Sequence, residues 1–174
     1  KAENNLAEYS VVLGEIAGIH QTRGDLERAL QLYQESLQLA EQLGDKQGKG
    51  TSLSMLGNLF MMKREYDRAE NAILDSLKIA QELGYLSDIA FNIVKLGQVA
   101  QARGDKGIAL SRYREGLAIF EKLGAQPLIK QVKELIENLE RNLSPGYGAG
   151  GNEADPLAAA IAQENGVQAI GIPA

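Results

Sequence analysis

Few side chains in this chain are equipped for chemistry. It has one histidine, His20, and no cysteine, which excludes disulfides, thiolate nucleophiles and cysteine-ligated metals. A lone histidine without clustered carboxylates or a neighbouring Ser or Cys assembles neither a metal site nor a nucleophilic relay. Position 20 instead asks for bulk between helices. Glu35, Asp75 and Glu115 recur at a step of forty residues and look like a row of metal or catalytic carboxylates. Residues one such step apart stand too far from each other to share a small ion, so the row reads as a solvated outer face. The stretch GYGAGG at 146–151 lacks the Lys-Ser/Thr ending of a phosphate loop and the strand-and-helix setting that such a loop needs. It reads as a linker. The expectation is a chain that binds rather than reacts: no enzyme, no cofactor and no metal.

Composition narrows the partners. Hydrophobic residues make up 44% and charged residues 24% of the 174, the range of a folded globular domain. Only 5% are aromatic and Trp is absent, so the core must be built from Leu, Ile, Val and Ala. A net charge of −5 argues against a general binder of nucleic acid or anionic membrane, both of which need concentrated positive charge. No apolar run reaches the length of a membrane span. The lack of Cys fits a reducing compartment, and the expected location is cytoplasmic. A start at Lys1, without Met or a signal-type apolar region, reads as a piece of something longer.

The elements that must position any binding surface repeat. Leu53–Ala80, moved forty residues back, falls on Leu13–Ala40; moved forty forward, it falls on Ile93–Phe120. The junctions EQLG, QELG and EKLG at 41–44, 81–84 and 121–124 keep the same step. A fixed period of this size marks stacked units that bury their apolar faces on one another. Apolar residues at helical spacing from Val11 to Ile19 predict a first helix that stops near Arg23, with Gly24-Asp25 as the turn and Asp25 as the next N-cap. Residues 1–9 read either as the tail of a preceding unit or as the opening of this helix. The second helix ends at Leu43, with Gly44 placed for the left-handed closing conformation. Helices then follow at about 47–63, 66–83, 87–103 and 106–123, closed by Gly84 and Gly124. This divides the chain into repeats of about 10–45, 46–85 and 86–125. Pro127 can open a further amphipathic helix over about 127–143. A fourth unit would need Gly or Ala where Glu137 stands, so this helix reads as a cap on the stack.

The first helices carry Leu13-x2-Ile16-Ala17-x2-His20, Leu53-x2-Leu56-Gly57-x2-Phe60 and Ile93-x2-Leu96-Gly97-x2-Ala100. The second helices carry Ala29-x3-Tyr33, Ala69-x3-Ile73 and Ala109-x3-Tyr113. This lattice of small and large residues closely resembles the tetratricopeptide repeat (TPR) pattern. The period of forty, against the usual 34, is similar to the long-repeat arrays of LGN/Pins-type cell-polarity proteins and of bacterial signalling proteins. The resemblance implies an all-α, right-handed α-solenoid of three TPR helix hairpins plus a C-terminal capping helix, residues 1–143, followed by a Gly-rich tail.

It also implies a concave groove lined by the first helices. Carried over by register, the first repeat supplies Val11, Gly14, Gly18, Gln21 and Thr22. The second supplies Thr51, Ser54, Asn58, Met61 and Met62, and the third Phe91, Val94, Lys95, Gln98, Gln101 and Ala102. Asn58 can both donate to and accept from a bound backbone, and Met61 and Met62 are adaptable fillers. The carboxylate clamp of chaperone-type members needs several basic residues converging here. Only Asn58 and Lys95 resemble it, so a dedicated receptor for a C-terminal carboxylate is not expected.

From Ser144 the composition shifts: SPGYGAGGNEAD is linker-like, and 144–174 contains no Lys or Arg. Asp155-Pro156 can start a short helix over 155–165. The expected function is a protein–protein interaction scaffold that binds a protein or peptide partner, in extended or helical form, in its groove. Its own C-terminal tail, in cis or in trans, is a candidate partner. The second reading is a self-assembly module joined through the tail or the repeat ends.

Overall fold

The computed structural model describes the backbone of residues 2–141 and the side chains of 6–141. Helices account for nearly all of the described residues: α1 (Ala2–Thr22), α2 (Leu26–Leu43), α3 (Lys46–Met62), α4 (Tyr66–Leu83), α5 (Leu86–Arg103), α6 (Lys106–Leu123) and α7 (Gln126–Arg141). Of the two readings of residues 1–9, the helical one holds from Ala2 onward. The expectations for 144–174, including the short helix at 155–165, lie outside the described residues.

Helix ends follow local chemistry. The Asp25 carboxylate accepts from the Arg28 amide at 3.3 Å, and the Asp45 carboxylate accepts from Gly48 at 2.9 Å, each satisfying an amide that has no partner inside its helix. Asp105, at the equivalent place in the third hairpin, makes no side-chain capping bond. His20 is half-buried, and its Nδ1 lies 3.1 Å from Asp25 Oδ2. It therefore braces the capping carboxylate as well as filling space, a role that spacing alone did not reveal. Gly44, Gly84 and Gly124 close α2, α4 and α6 at φ of 66°, 72° and 66°, as their positions predict. Inside the first and third hairpins the turn residue is also a left-handed glycine, Gly24 or Gly104. In the second hairpin the same position is Arg64, at φ 60°.

Helices pair as α1–α2, α3–α4 and α5–α6. Each second helix then packs on the next first helix, α2 on α3, α4 on α5 and α6 on α7. The result is an all-α solenoid. Within each hairpin the close approach depends on small residues. A Cβ added to Gly57 would stand 2.5 Å from Ile73 Cγ1, and one added to Gly97 would stand 2.7 Å from the Tyr113 ring. Opposite the small residues, Tyr33, Ile73 and Tyr113 are enclosed, each contributing about 1.5–3 kcal/mol of burial.

Two buried clusters result. One runs from Leu13 through Tyr33, Leu59 and Ile73 to Val99; the other joins Tyr113 and Phe120 to Ile129, Val132 and Leu139 of α7. Glu137 is exposed, and Lys133 and Glu140 form ion pairs with Glu121 and Arg114 of α6 at 3.1 and 2.8 Å. The exposed face of α7, with Lys130, Glu134 and Glu137, is charged.

Candidate functional site

The first helices line one side of the stack. α3 touches both α1 and α5, whereas no comparable contact joins α2 to α4 or α4 to α6 among the described residues. Side chains cross between the first helices as well: Gln21 Nε2 donates to Met62 Sδ at 3.1 Å, and Lys95 Nζ donates to Ser54 Oγ at 2.5 Å.

Two cavities open on this side, one at each junction between hairpins. The first, about 580 Å³, is lined by Val11, Gly14, Gly18 and Tyr33 of the first hairpin and by Thr51 and Met55 of α3. The second, about 350 Å³, is lined by Thr51, Ser54, Met55 and Asn58 of α3 and by Phe91 and Lys95 of α5. Thr51 and Met55 border both, so the two adjoin along α3.

Each cavity has a polar floor. Under the first, Ser36 Oγ donates to the Ser10 carbonyl at 2.9 Å, Ser10 Oγ donates to the Ser36 carbonyl at 3.1 Å, and the Ser36 and Ser52 hydroxyls lie 3.0 Å apart. Under the second, the homologous positions continue the theme. Ser76 Oγ donates to the Gly50 carbonyl at 2.8 Å, and Asn92 Nδ2 donates to Ser76 Oγ at 3.0 Å. Ser54 Oγ donates to Asn92 Oδ1 at 3.1 Å and accepts from Lys95. All of these groups are paired, as buried polar atoms must be.

Lys95 is the charged member of this wall. Burial pushes its ammonium down to about 8, against the opposing pull of the exposed Asp88 carboxylate. The side chain is therefore a partly desolvated donor aimed along the cavity wall. At the outer edge, Phe91 stands edge-on to Phe120, with centroids 5.2 Å apart at 75°. Among the described residues the Asn58 amide has no hydrogen-bond partner in the protein.

The register-derived groove set is therefore divided. Val11, Gly14, Gly18, Thr51, Ser54, Asn58, Phe91 and Lys95 line the cavities. Gln21 sits at the edge, where Gln21 Oε1 accepts from Tyr33 OH at 3.0 Å; Gln101 repeats the pairing with Tyr113 at 2.5 Å. Met61 packs partly buried on the first core cluster, while Met62, Gln98 and Ala102 are exposed and line neither cavity. Val94 is a correction: it is buried, with Cγ2 occupying the space that a Cβ on Gly116 would need. Where Ser36 and Ser76 stand in the earlier hairpins, Gly116 leaves room, and Val94 fills it instead of facing the groove.

Met55, Tyr85, Asp88 and Asn92 also line the second cavity and were not anticipated. Asn92 and Ser52 read as surface residues in isolation; the available signal was the recurrence of a polar residue at 36 and 76 and again at 52 and 92. The carboxylates Glu35, Asp75 and Glu115 are exposed, and no cluster of metal-ligating side chains occurs among the described residues. No described helix is long and apolar enough to cross a membrane.

Residues 8–82 match the family model for the tetratricopeptide repeat. BtubC (BKLC) from P. vanneervenii aligns at a TM-score of 0.58 over 84% of this chain and 68% of that one, with 15% identity. The N-terminal domain of stress-induced protein-1 (STI-1) from C. elegans aligns at 0.57 over 75% of this chain and 96% of that domain, with 17% identity. At these identities the likeness is one of fold. No match was found among curated protein sequences. The family match thus spans the first two hairpins, and the third repeats them in the same forty-residue register.

Proposed function

We propose that this chain is a non-catalytic scaffold that binds a peptide or helix along the side lined by α1, α3 and α5. The observation that carries the reading is the pair of adjoining cavities along α3, each combining apolar side chains with hydrogen-bonding groups. Such sites take apolar anchors of a peptide in the cavities and its backbone on the polar groups between them. Val11, Met55 and Phe91 supply apolar walls. Asn58 supplies a free amide and Lys95 a cationic donor, so a segment with apolar side chains flanking an acceptor or an acidic residue suits the second cavity best. Tetratricopeptide repeats generally mediate protein–protein contacts, which agrees with a binding rather than a reacting surface.

The test is selection of peptides from a random display library on the full chain, followed by titration calorimetry against variants. Thr51→Arg should block both cavities, and Asn58→Ala and Lys95→Met should each weaken binding about tenfold, the size of one lost polar contact. Glu35→Ala on the outer face should change nothing. Selected peptides that bind Thr51→Arg as well as the parent would refute the site. The tail is the internal competitor in this scheme. If 155–174 occupies the groove, a chain ending at residue 143 binds the same peptides more tightly; equal affinity removes the tail from the proposal.

A further inference from the structure

Among the described residues the two ends of the stack differ, since α1 exposes large apolar side chains and α7 does not. Positions 19, 59, 99 and 139 are equivalent by the forty-residue step. Leu59, Val99 and Leu139 are 0%, 1% and 2% exposed beneath the second helix of the preceding hairpin, whereas Ile19 is 50% exposed. The same holds one turn earlier, where Leu56 and Leu96 are 4% and 7% exposed and Ile16 is 39%. At the next position Val132 is 3% exposed and Val12 is 44%. Leu6 and Tyr9 prolong this apolar strip toward the start of α1. Among the described residues α7 exposes no large apolar side chain, and Lys130, Glu134 and Glu137 are exposed instead.

We propose that the outer strip of α1 is a docking surface for one further amphipathic helix, the second helix of a tetratricopeptide-type hairpin lying across Val12, Ile16 and Ile19. The interface is a fourth instance of one that the chain already makes three times, by α2 on α3, α4 on α5 and α6 on α7. The comparison also specifies the occupant. Where the first-helix position is polar, Ser52 or Asn92, the second helix answers with a hydrogen-bonding serine, Ser36 or Ser76. Where it is Val132, the second helix carries Gly116. Val12 is of the second kind, so the docking helix carries Gly or Ala at that crossing and Leu, Ile or Phe on either side. A serine there would be buried against a valine methyl with no partner on α1, at a cost that the internal junctions avoid. The strip is separate from the groove, because Val12, Ile16 and Ile19 line neither cavity, whereas Val11, Gly14 and Gly18 of the same helix line the first.

The probe is the chain's own third repeat. Residues 86–125 fused directly before Leu6 keep the forty-residue step and place a second copy of α6 over α1. The fusion should raise the thermal midpoint by about 5 °C or more, since repeat arrays gain stability with each completed interface, and should protect α1 amides from hydrogen exchange. Ile16→Glu/Ile19→Glu should shift the unfused chain by no more than about 2 °C, because both side chains are exposed, yet should abolish the gain in the fusion. Gly116→Ser in the fused copy should remove part of the gain. A fusion with no higher midpoint, or a gain that survives the two glutamates, overturns the proposal. So does an unfused chain that light scattering shows to be a dimer dissolved by the same glutamates, since a second copy would then be the occupant.

Discussion

Arg64 is the sharpest internal anomaly of the fold, and replacing it with glycine should stabilise the protein. The residue sits in the turn of the second hairpin at φ 60°, where the first and third hairpins place Gly24 and Gly104 at 82° and 94°. Holding a residue that carries a Cβ in the left-handed region costs roughly 1–2 kcal/mol. Glycine returns about 0.5–1 kcal/mol of that through its larger unfolded-state freedom. The Arg64 guanidinium makes no ion pair among the described residues, although it borders a shallow depression with Glu65, Asp67 and Arg103. Little is lost with the side chain, and the balance favours Arg64→Gly by roughly 0.5–1 kcal/mol, or about 1–4 °C in thermal midpoint for a chain of this size. Arg64→Ala is the control, since it removes the guanidinium and keeps the strained φ; it should match the parent within about 0.5 kcal/mol. Urea titration of the three proteins, with a constant slope confirming the same unfolding reaction, separates the two contributions. If Arg64→Gly is no more stable than Arg64→Ala, backbone strain at this turn is not a term in the stability and the reasoning fails.

Other residues give further tests. Gly57→Ala should destabilise by about 1–2 kcal/mol despite alanine's higher helix propensity, because the new Cβ falls 2.5 Å from Ile73 Cγ1. In an Ile73→Ala background the same change should become neutral or favourable, and a gain in the parent background would contradict the packing account. Lys95, pushed down to about 8 by burial, titrates near 10.4 in the unfolded chain, so between those values the unfolded chain holds a proton that the fold has released. Stability should therefore rise from pH 8 toward pH 10, by about 1–2 kcal/mol after allowing for partial solvent access. Lys95→Met should abolish this slope in pH-dependent urea midpoints, and an identical slope would rule out the buried lysine as its cause. Above pH 10 the trend should reverse in both proteins. Burial holds the Tyr113 hydroxyl up at about 12 and raises that of Tyr33, so these phenols keep their protons in the fold after the unfolded chain has lost them. Asn92→Ala should cost about 1–3 kcal/mol, since it severs the link between Ser54 and Ser76. It should also loosen Lys95, seen as faster amine modification.

How far the fold could be read from the sequence depended on what kind of physics set each feature. Helix ends at the turns between helices were legible to within one or two residues because a single local requirement fixes each one, as at Gly44 and Gly84, where only the left-handed conformation closes the helix. The hairpin lattice was legible because Gly57 against Ile73 and Gly97 against Tyr113 are forced by close approach. The groove was legible only in outline. Register places Gly14, Ser54 and Val94 on one line, yet the first two face cavities and the third is buried. The difference is made by a residue on another helix, Gly116, whose missing side chain draws Val94 inward. Asn92 was overlooked for the same reason: a polar residue on a helix reads as solvent-facing until the serine that answers it, Ser76, is known to lie opposite.

The same junction position explains why the repeats are not interchangeable. Positions 10, 36 and 52 are all serine, positions 50, 76 and 92 are Gly, Ser and Asn, and positions 90, 116 and 132 are Ala, Gly and Val. The first two junctions carry buried hydrogen-bonded groups and lie beneath the two cavities. The third is apolar and closely packed, with Val94 against Gly116 and Val132 in the core of α7. Burying hydroxyls and an amide stabilises less than apolar packing of the same volume and leaves a penalty wherever a partner is missing. A stack selected for stability alone would use the third junction throughout. The polar floors occur where the first helices open cavities, and there they hold Ser54 and Lys95 in fixed orientation along the cavity wall. The gradient from Ser-Ser-Ser to Ala-Gly-Val therefore runs from the junctions beneath the cavities to the closely packed one. The apolar strip of Val12, Ile16 and Ile19 on α1 matches the closely packed type, which is why that end calls for a covering helix rather than a ligand.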